Sequence, residues 1–153
     1  MHIETVSATT FEQVLPLIAE YQRFYEATPD EARNRAHFAQ LLDDHNLGIQ
    51  FVALDDVGQA LGFATLYFPL GSVSARVNCL MNDLYTIPDA RGQGIGRALI
   101  QYCLAYARER GFHSIFWQTA QSNVRAQRLY DSLPTTRSAW YTYTLPTGIE
   151  DRG

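Results

Sequence analysis

Residues 91 to 97 read Arg91-Gly92-Gln93-Gly94-Ile95-Gly96-Arg97, three glycines at alternate positions just ahead of a run with helical apolar spacing. Glycine lets a ligand come close to the backbone. The first turn of a helix leaves N–H groups unpaired at the positive end of the helix dipole. That combination holds an anion, a phosphate or pyrophosphate above all. Two phosphate loops require residues that this segment lacks. A nucleoside triphosphate loop closes on Gly-Lys-Ser/Thr, whereas Gly96 is followed by Arg97-Ala98. A dinucleotide loop needs GxGxxG and an acid about 20 residues on. Here the pattern is GxGxG and the next β-rich run ends in Trp117-Gln118.

The elements that must hold this loop follow from pattern. Residues 77–87 are β-rich and stop at Pro88-Asp89, while 94–110 places Ile95, Leu99, Tyr102, Cys103 and Tyr106 on one side of a helix, with Gly111 to cap its end. A strand at 114–118 follows, and a right-handed crossover makes the two strands parallel. Upstream, 3–6 alternates as a short strand, and Thr10 is placed to cap a helix running to about residue 25. Thr28-Pro29-Asp30-Glu31 opens a second helix, with Pro at its first position and an end near residue 44. Residues 49–54 and 61–68, joined by Asp55-Asp56-Val57-Gly58, read as an antiparallel hairpin. A short helix over 123–132 and an alternating strand over 138–145 complete the order, and 146–153 reads as a frayed tail. The expected fold class is α+β in a single domain, residues 1–153. Its sheet is mixed and mostly antiparallel, with a central parallel βαβ unit and helices on both faces.

Composition narrows the partners. A chain of 153 residues, 46% hydrophobic, is the size of one domain with its own core. No apolar run reaches the roughly 18 residues that span a bilayer, and Met1-His2-Ile3-Glu4 lacks the pattern of a signal peptide, so the expectation is no membrane and a cytoplasmic location. A net charge of -4 has the wrong sign for coating nucleic acid and suits a cationic substrate. Cys79 and Cys103 stand outside any CxxC or Cys/His cluster, which implies buried free thiols and no metal. His2, His37, His45 and His113 are scattered and read as solvated or core side chains.

Arg91-x-x-Gly94-x-Gly96 follows a strand ending Leu84-Tyr85-Thr86-Ile87-Pro88, and Asn123, Ala126, Leu129 and Tyr130 follow in turn. This order resembles the GNAT superfamily of N-acetyltransferases, with the match running from Asp83 to Tyr130. The resemblance implies acetyl-CoA as cosubstrate. Its pyrophosphate would rest on Arg91, Gly92, Gln93, Gly94, Ile95, Gly96 and Arg97. Its pantetheine arm and acetyl carbonyl would meet the backbone of Tyr85, Thr86 and Ile87, with Asn123 also on the arm. An Asn opening a helix serves equally as an N-cap.

Acetyl transfer from a thioester to an amine needs a neutral nitrogen, a polarised carbonyl and a proton for the departing sulfur. Tyr130, in Arg128-Leu129-Tyr130-Asp131, matches the tyrosine that family members use as the acid, and a phenol of ordinary pKa ~10 can donate. For the base, relatives acting on polyamines carry consecutive acids where this chain reads Met81-Asn82-Asp83-Leu84-Tyr85. Asn82 replaces the first acid, which leaves Asp83, a water chain or Glu26. Strand alternation is expected to place Asn82 and Asp83 on opposite faces. By family position Tyr21, Phe24, Tyr25 and Glu26 of the first helix, together with Asn82, are expected at the acceptor site, although a plain amphipathic helix would look the same. Trp140-Tyr141-Thr142-Tyr143 reads as strand core, an interface or pocket lining. Family habit implies a homodimer through a sheet edge or the last strands. The implied reaction is acetyl transfer to the primary amine of a small molecule by direct attack in a ternary complex. Its rivals are acetylation of a protein N-terminus or lysine, and a non-catalytic acyl-CoA sensor.

Overall fold

The structure, a computed structural model, describes residues 1–150. The chain divides into two compact units, Met1–Gln118 and Thr119–Gly153. The first unit contains, in order, β1 (His2–Thr5), α1 (Ala8–Phe24), α2 (Glu31–Asp43), β2 (Gly48–Leu54), β3 (Ala60–Tyr67), β4 (Leu70–Gly71), β5 (Arg76–Val77), β6 (Cys79–Thr86), a 3-10 turn (Pro88–Ala90), α3 (Ile95–Glu109) and β7 (Ile115–Phe116). The main sheet is ordered β1-β2-β3-β6-β7. It is antiparallel except for β6 and β7, which run parallel with Cys79 opposite Ile115. The α+β class and its βαβ unit are as expected, although β7 is two residues long rather than five.

Every residue of β2 is buried, because helices cover both faces of the sheet. Val52 and Leu54 pack with Phe63 and Tyr85 against Val14 and Ile18 of α1 and Phe38 and Leu41 of α2. Phe51, pointing the other way by the period of two, meets Tyr102 and Tyr106 of α3 with ring centroids 4.9 and 5.3 Å apart. Phe51 and Phe63 are fully buried, and each contributes about 1.5–3 kcal/mol on removal from water.

Two helix starts differ from expectation. Ser7, not Thr10, caps α1: the Ser7 hydroxyl accepts from the Thr10 amide at 3.4 Å, and the Ser7 amide donates to Thr10 Oγ1 at 2.9 Å. Thr10 is thus the third-residue partner of a capping box, which satisfies two orphan donors where a lone cap satisfies one. Asp30 caps α2 through the Arg33 amide at 2.9 Å, so Pro29 stands outside the helix rather than at its first position.

The second unit holds α4 (Val124–Asp131), capped by Asn123, whose side-chain oxygen accepts from the Ala126 amide at 3.2 Å. The strand expected over 138–145 is not formed. Among the described residues nothing pairs with it, and Trp140, Tyr141, Tyr143 and Leu145 are 82–92% exposed. Alternating side chains make a ribbon competent to be a strand, but a strand exists only with a partner edge. The expected tail lies partly outside the described residues, and 146–150 carries no regular element.

Candidate active site

Strand β6 places the chemistry, and one irregularity decides how. Leu66 of β3 faces Met81 and Thr65 faces Asp83, so Asn82 is an extra residue in the ladder. A bulge of this kind re-aims side chains, and Asn82 and Asp83 both line one cleft of ≈ 330 Å³. The expectation that alternation would separate them fails because the period of two is broken between them. Asn82 Nδ2 donates to Asp83 Oδ1 at 2.9 Å. The Tyr21 hydroxyl of α1 donates to the Asn82 carbonyl at 3.2 Å.

Asp83 is 5% exposed. Burial pushes its carboxyl above the usual carboxylate range, while hydrogen bonds from Thr65, Asn82 and Tyr21 and the neighbouring His37 pull the other way. The Thr65 hydroxyl accepts from the Gln50 side-chain amide at 2.9 Å, which leaves its own proton for the acid. The acid thus accepts hydrogen bonds from the neutral side chains of Thr65, Asn82 and Tyr21.

The opposite wall comes from α2, where Arg33, Asn34, His37 and Phe38 share one helix face by their spacing. Gln22 of α1 and Asn34 exchange two amide hydrogen bonds, at 2.7 and 2.8 Å, and so fix the two helices together beside the cleft. His37 Nε2 lies 2.9 Å from the Tyr67 hydroxyl of β3. Burial, with the Asp83 charge nearby, pushes the Tyr67 phenol up, so it stays protonated across the neutral range. Of the residues expected at the acceptor site, Tyr21 and Asn82 line the cleft, whereas Phe24, Tyr25 and Glu26 do not. Tyr25 instead meets Tyr21 edge-on at 5.0 Å, and Glu26 ends the helix region with φ 61. His37, Tyr67 and the Gln22–Asn34 pair are site features that the sequence reading missed.

At the other end of β6 the glycine loop begins. The Arg91 guanidinium turns back on the strand: Nε donates to the Thr86 carbonyl at 3.0 Å and the group lies 5.7 Å from the Tyr85 ring centre. The Tyr85 hydroxyl donates to Glu20 Oε2 at 2.8 Å. The Arg91 amide donates to Pro88 O at 3.2 Å. Gly92 and Gly94 have φ +79 and +83, and a Cβ at either would meet nothing within 4 Å. Gly94 begins α3 without a side-chain cap. Among the described residues the amides of Gly92, Gln93 and Gly94 donate to no backbone carbonyl, and those of Ile95 and Gly96 lie in the first turn of α3, ahead of its first intrahelical bond. Unpaired donors, a helix dipole and open space together fit a pyrophosphate.

β7 pairs with β6 only at Cys79 and Leu80, so among the described residues the far edge of β6 is unpaired at 82–86. The Ile87 amide donates to Leu61 O at 2.9 Å and is therefore engaged. By the alternation of an antiparallel ladder the Thr86 N–H points to the open edge. In the second unit Tyr130 is half-buried, and its carbonyl accepts from the Leu133 amide and the Thr135 hydroxyl at 3.1 and 2.9 Å. Asn123 is a cap in fact, which leaves only its NH₂ free for another role. Among the described residues no group of three His, Cys, Asp or Glu could hold a metal. Cys79 and Cys103 are free and buried, and burial pushes the Cys79 thiol to about 11. No described helix is long and apolar enough to cross a membrane.

The chain is similar to known proteins in sequence and in fold. A D-amino-acid N-acetyltransferase of Saccharomyces cerevisiae (strain ATCC 204508 / S288c) is 35% identical over 112 residues, which is 72% of this chain and 70% of that protein. A solved structure of a probable acetyltransferase superposes with a TM-score of 0.84 at 27% identity, covering 98% of this chain and 100% of the other. An aminoglycoside N-acetyltransferase solved in complex with CoA shares the fold, with a TM-score of 0.83 at 17% identity over 95% of this chain and 94% of that one. The sequence pattern of the Acetyltransferase (GNAT) family matches residues 13–133. On the family match over residues 13–133 and the 35% identical relative, the chain belongs to the GNAT family and is an N-acetyltransferase.

Proposed function

We propose that this enzyme is acetyl-CoA-dependent and acetylates the primary amine of a small molecule by direct attack in a ternary complex. The observation that carries the reading is the placement of a buried acid in a cleft on β6 and of an open glycine loop, suited to a pyrophosphate, just beyond the end of that strand. A cleft of ≈ 330 Å³ is at the small end of ligand pockets, which favours a small amine over a protein surface. The D-amino-acid acceptor of the yeast relative points the same way. The match over 13–133 supports reading both units as one catalytic domain.

In this reading residues 92–97 hold the pyrophosphate, Thr86 on the open strand edge meets the pantetheine arm, and the Asn123 NH₂ assists. Acetyl-CoA supplies an acetyl group activated as a thioester. Asp83 faces the incoming ammonium and holds it beside Asn82. The Thr86 N–H is the candidate donor to the carbonyl oxygen, where charge develops in the transition state. Tyr130, carried over from its position in the family motif, gives its proton to the departing sulfur. A thiol of pKa about 8.5 is a fair leaving group unaided, so Tyr130→Phe should lower kcat by about 10- to 100-fold while the melting curve and the KM for acetyl-CoA stay near wild type. Full kcat in that variant removes Tyr130 from the mechanism. The exposed aromatic run at 140–145 supports a homodimer in which a second copy covers it. Sedimentation of the full chain against one ending at residue 137 checks this, and a monomeric full chain contradicts it. The experiment for the function itself is thiol release from acetyl-CoA over a panel of amines. Binding without release for every amine would favour the sensor.

A further inference from the structure

We propose that Tyr67 and His37 form the relay that carries the acceptor's proton out of the cleft to solvent. The inference rests on the reading that an amine is acetylated in this cleft. An amine arrives as an ammonium and attacks only after losing a proton. That proton needs an acceptor which can return it to water once per turnover.

The geometry supplies a path in one direction. The cleft runs inward to Asp83, which is 5% exposed. Tyr67, half-buried, lines the same cleft, and its hydroxyl lies 2.9 Å from Nε2 of His37, which is exposed. The N–H bond of the ammonium breaks and its proton passes to Tyr67 Oη, while the hydroxyl proton of Tyr67 passes to His37 Nε2. The substrate becomes a neutral amine with its lone pair free, Tyr67 is neutral before and after, and His37 becomes an imidazolium that gives its proton to water. Burial disfavours a phenolate at Tyr67, which suits a relay that never stays ionised. The ionisable groups facing His37 across the cleft are Tyr21 from α1, Arg33 from its own helix, Tyr67 from β3 and Asp83 from β6. His37 is the natural exit because imidazole is the side chain that exchanges protons nearest neutral pH.

The test uses the full chain with acetyl-CoA and, as probe amines, D-methionine, L-lysine and spermidine, followed by thiol release. His37→Ala is expected to lower kcat by about 30-fold or more, to leave the KM for acetyl-CoA unchanged, and to recover in a concentration-dependent way on adding imidazole. Tyr67→Phe, which keeps the ring, is expected to lose a similar factor. The double variant should be no worse than either single one, because the two act as a unit. His37→Gln, which retains a hydrogen bond to Tyr67 but cannot carry a proton, should lose the acidic limb of the kcat/KM profile. Wild-type rates in His37→Ala, a loss that imidazole does not restore, or additive losses in the double variant would overturn the relay. A wild-type enzyme that releases no thiol with any probe overturns the acetyl-transfer reading and the relay with it. An active wild type with an insensitive His37→Ala overturns the relay alone.

Discussion

Gly94→Ala is expected to weaken acetyl-CoA binding by about 100-fold while lowering stability only modestly. Gly94 sits at φ +83, a conformation that costs an L-residue about 1–2 kcal/mol, and that strain falls on the folded protein whether or not ligand is present. The space beyond its Cα is empty of protein within 4 Å, so the new methyl group meets no side chain. It does meet whatever approaches the amides of 92–97. Displacing an anion from two such donors forfeits about 1.5–3 kcal/mol for each charge-assisted bond, and every 1.4 kcal/mol is a factor of ten in affinity. Calorimetric titration with acetyl-CoA, read beside a thermal melt, separates the two effects. A variant that loses stability but binds as wild type does would make the loop a structural turn and nothing more.

Asp83→Asn is expected to lower kcat/KM by at least about 100-fold and, at the same time, to raise the melting temperature at pH 7 to 8. The two effects share one cause. Burial has pushed the Asp83 carboxyl above its ordinary range, so the folded chain binds that proton more tightly than the unfolded chain does. The stability associated with the protonated form is complete below the ordinary carboxylate pKa and is lost as pH rises through the raised value. Asparagine is neutral at every pH and can still bond to Thr65 and Tyr21, so its advantage should grow with rising pH and vanish in acid. An active site that stores an unfavourable charge is stabilised by removing it and disabled by the same change. Thermal melts of both proteins from pH 4 to 8, set beside rates with a working amine, check both halves. If the variant melts lower than wild type at pH 8, Asp83 is a structural acid whose charge the fold requires.

How far the site could be read from sequence depended on whether its parts are local. The glycine loop is made by consecutive residues, so a turn there and the start of α3 were legible from spacing alone, as was the parallel β6–α3–β7 crossover. What spacing does not reveal is that the amides of Arg91 and Ile87 are engaged by Pro88 and Leu61. The acceptor cleft was less legible because it is tertiary. Arg33, Asn34, His37 and Phe38 recur at helical spacing, but which strand that face meets depends on how α2 packs. Tyr67 appears only as one more aromatic in a hairpin. The bulge at Asn82 lay beyond a strict period of two, since one unpaired residue leaves no mark in composition. Thr10 and Ser7 are both residue types that cap helices, and the choice between them turned on a reciprocal pair of hydrogen bonds. Residues 138–145 carry a strand's alternation, yet alternation states only what a strand would bury, not that a partner edge is present.

The most direct test of the account is thiol release from acetyl-CoA by the full chain across a panel of small amines, with the product identified by mass. The account predicts saturable release that depends on the amine and yields a singly acetylated product. Tight acetyl-CoA binding with no release for any amine would contradict it.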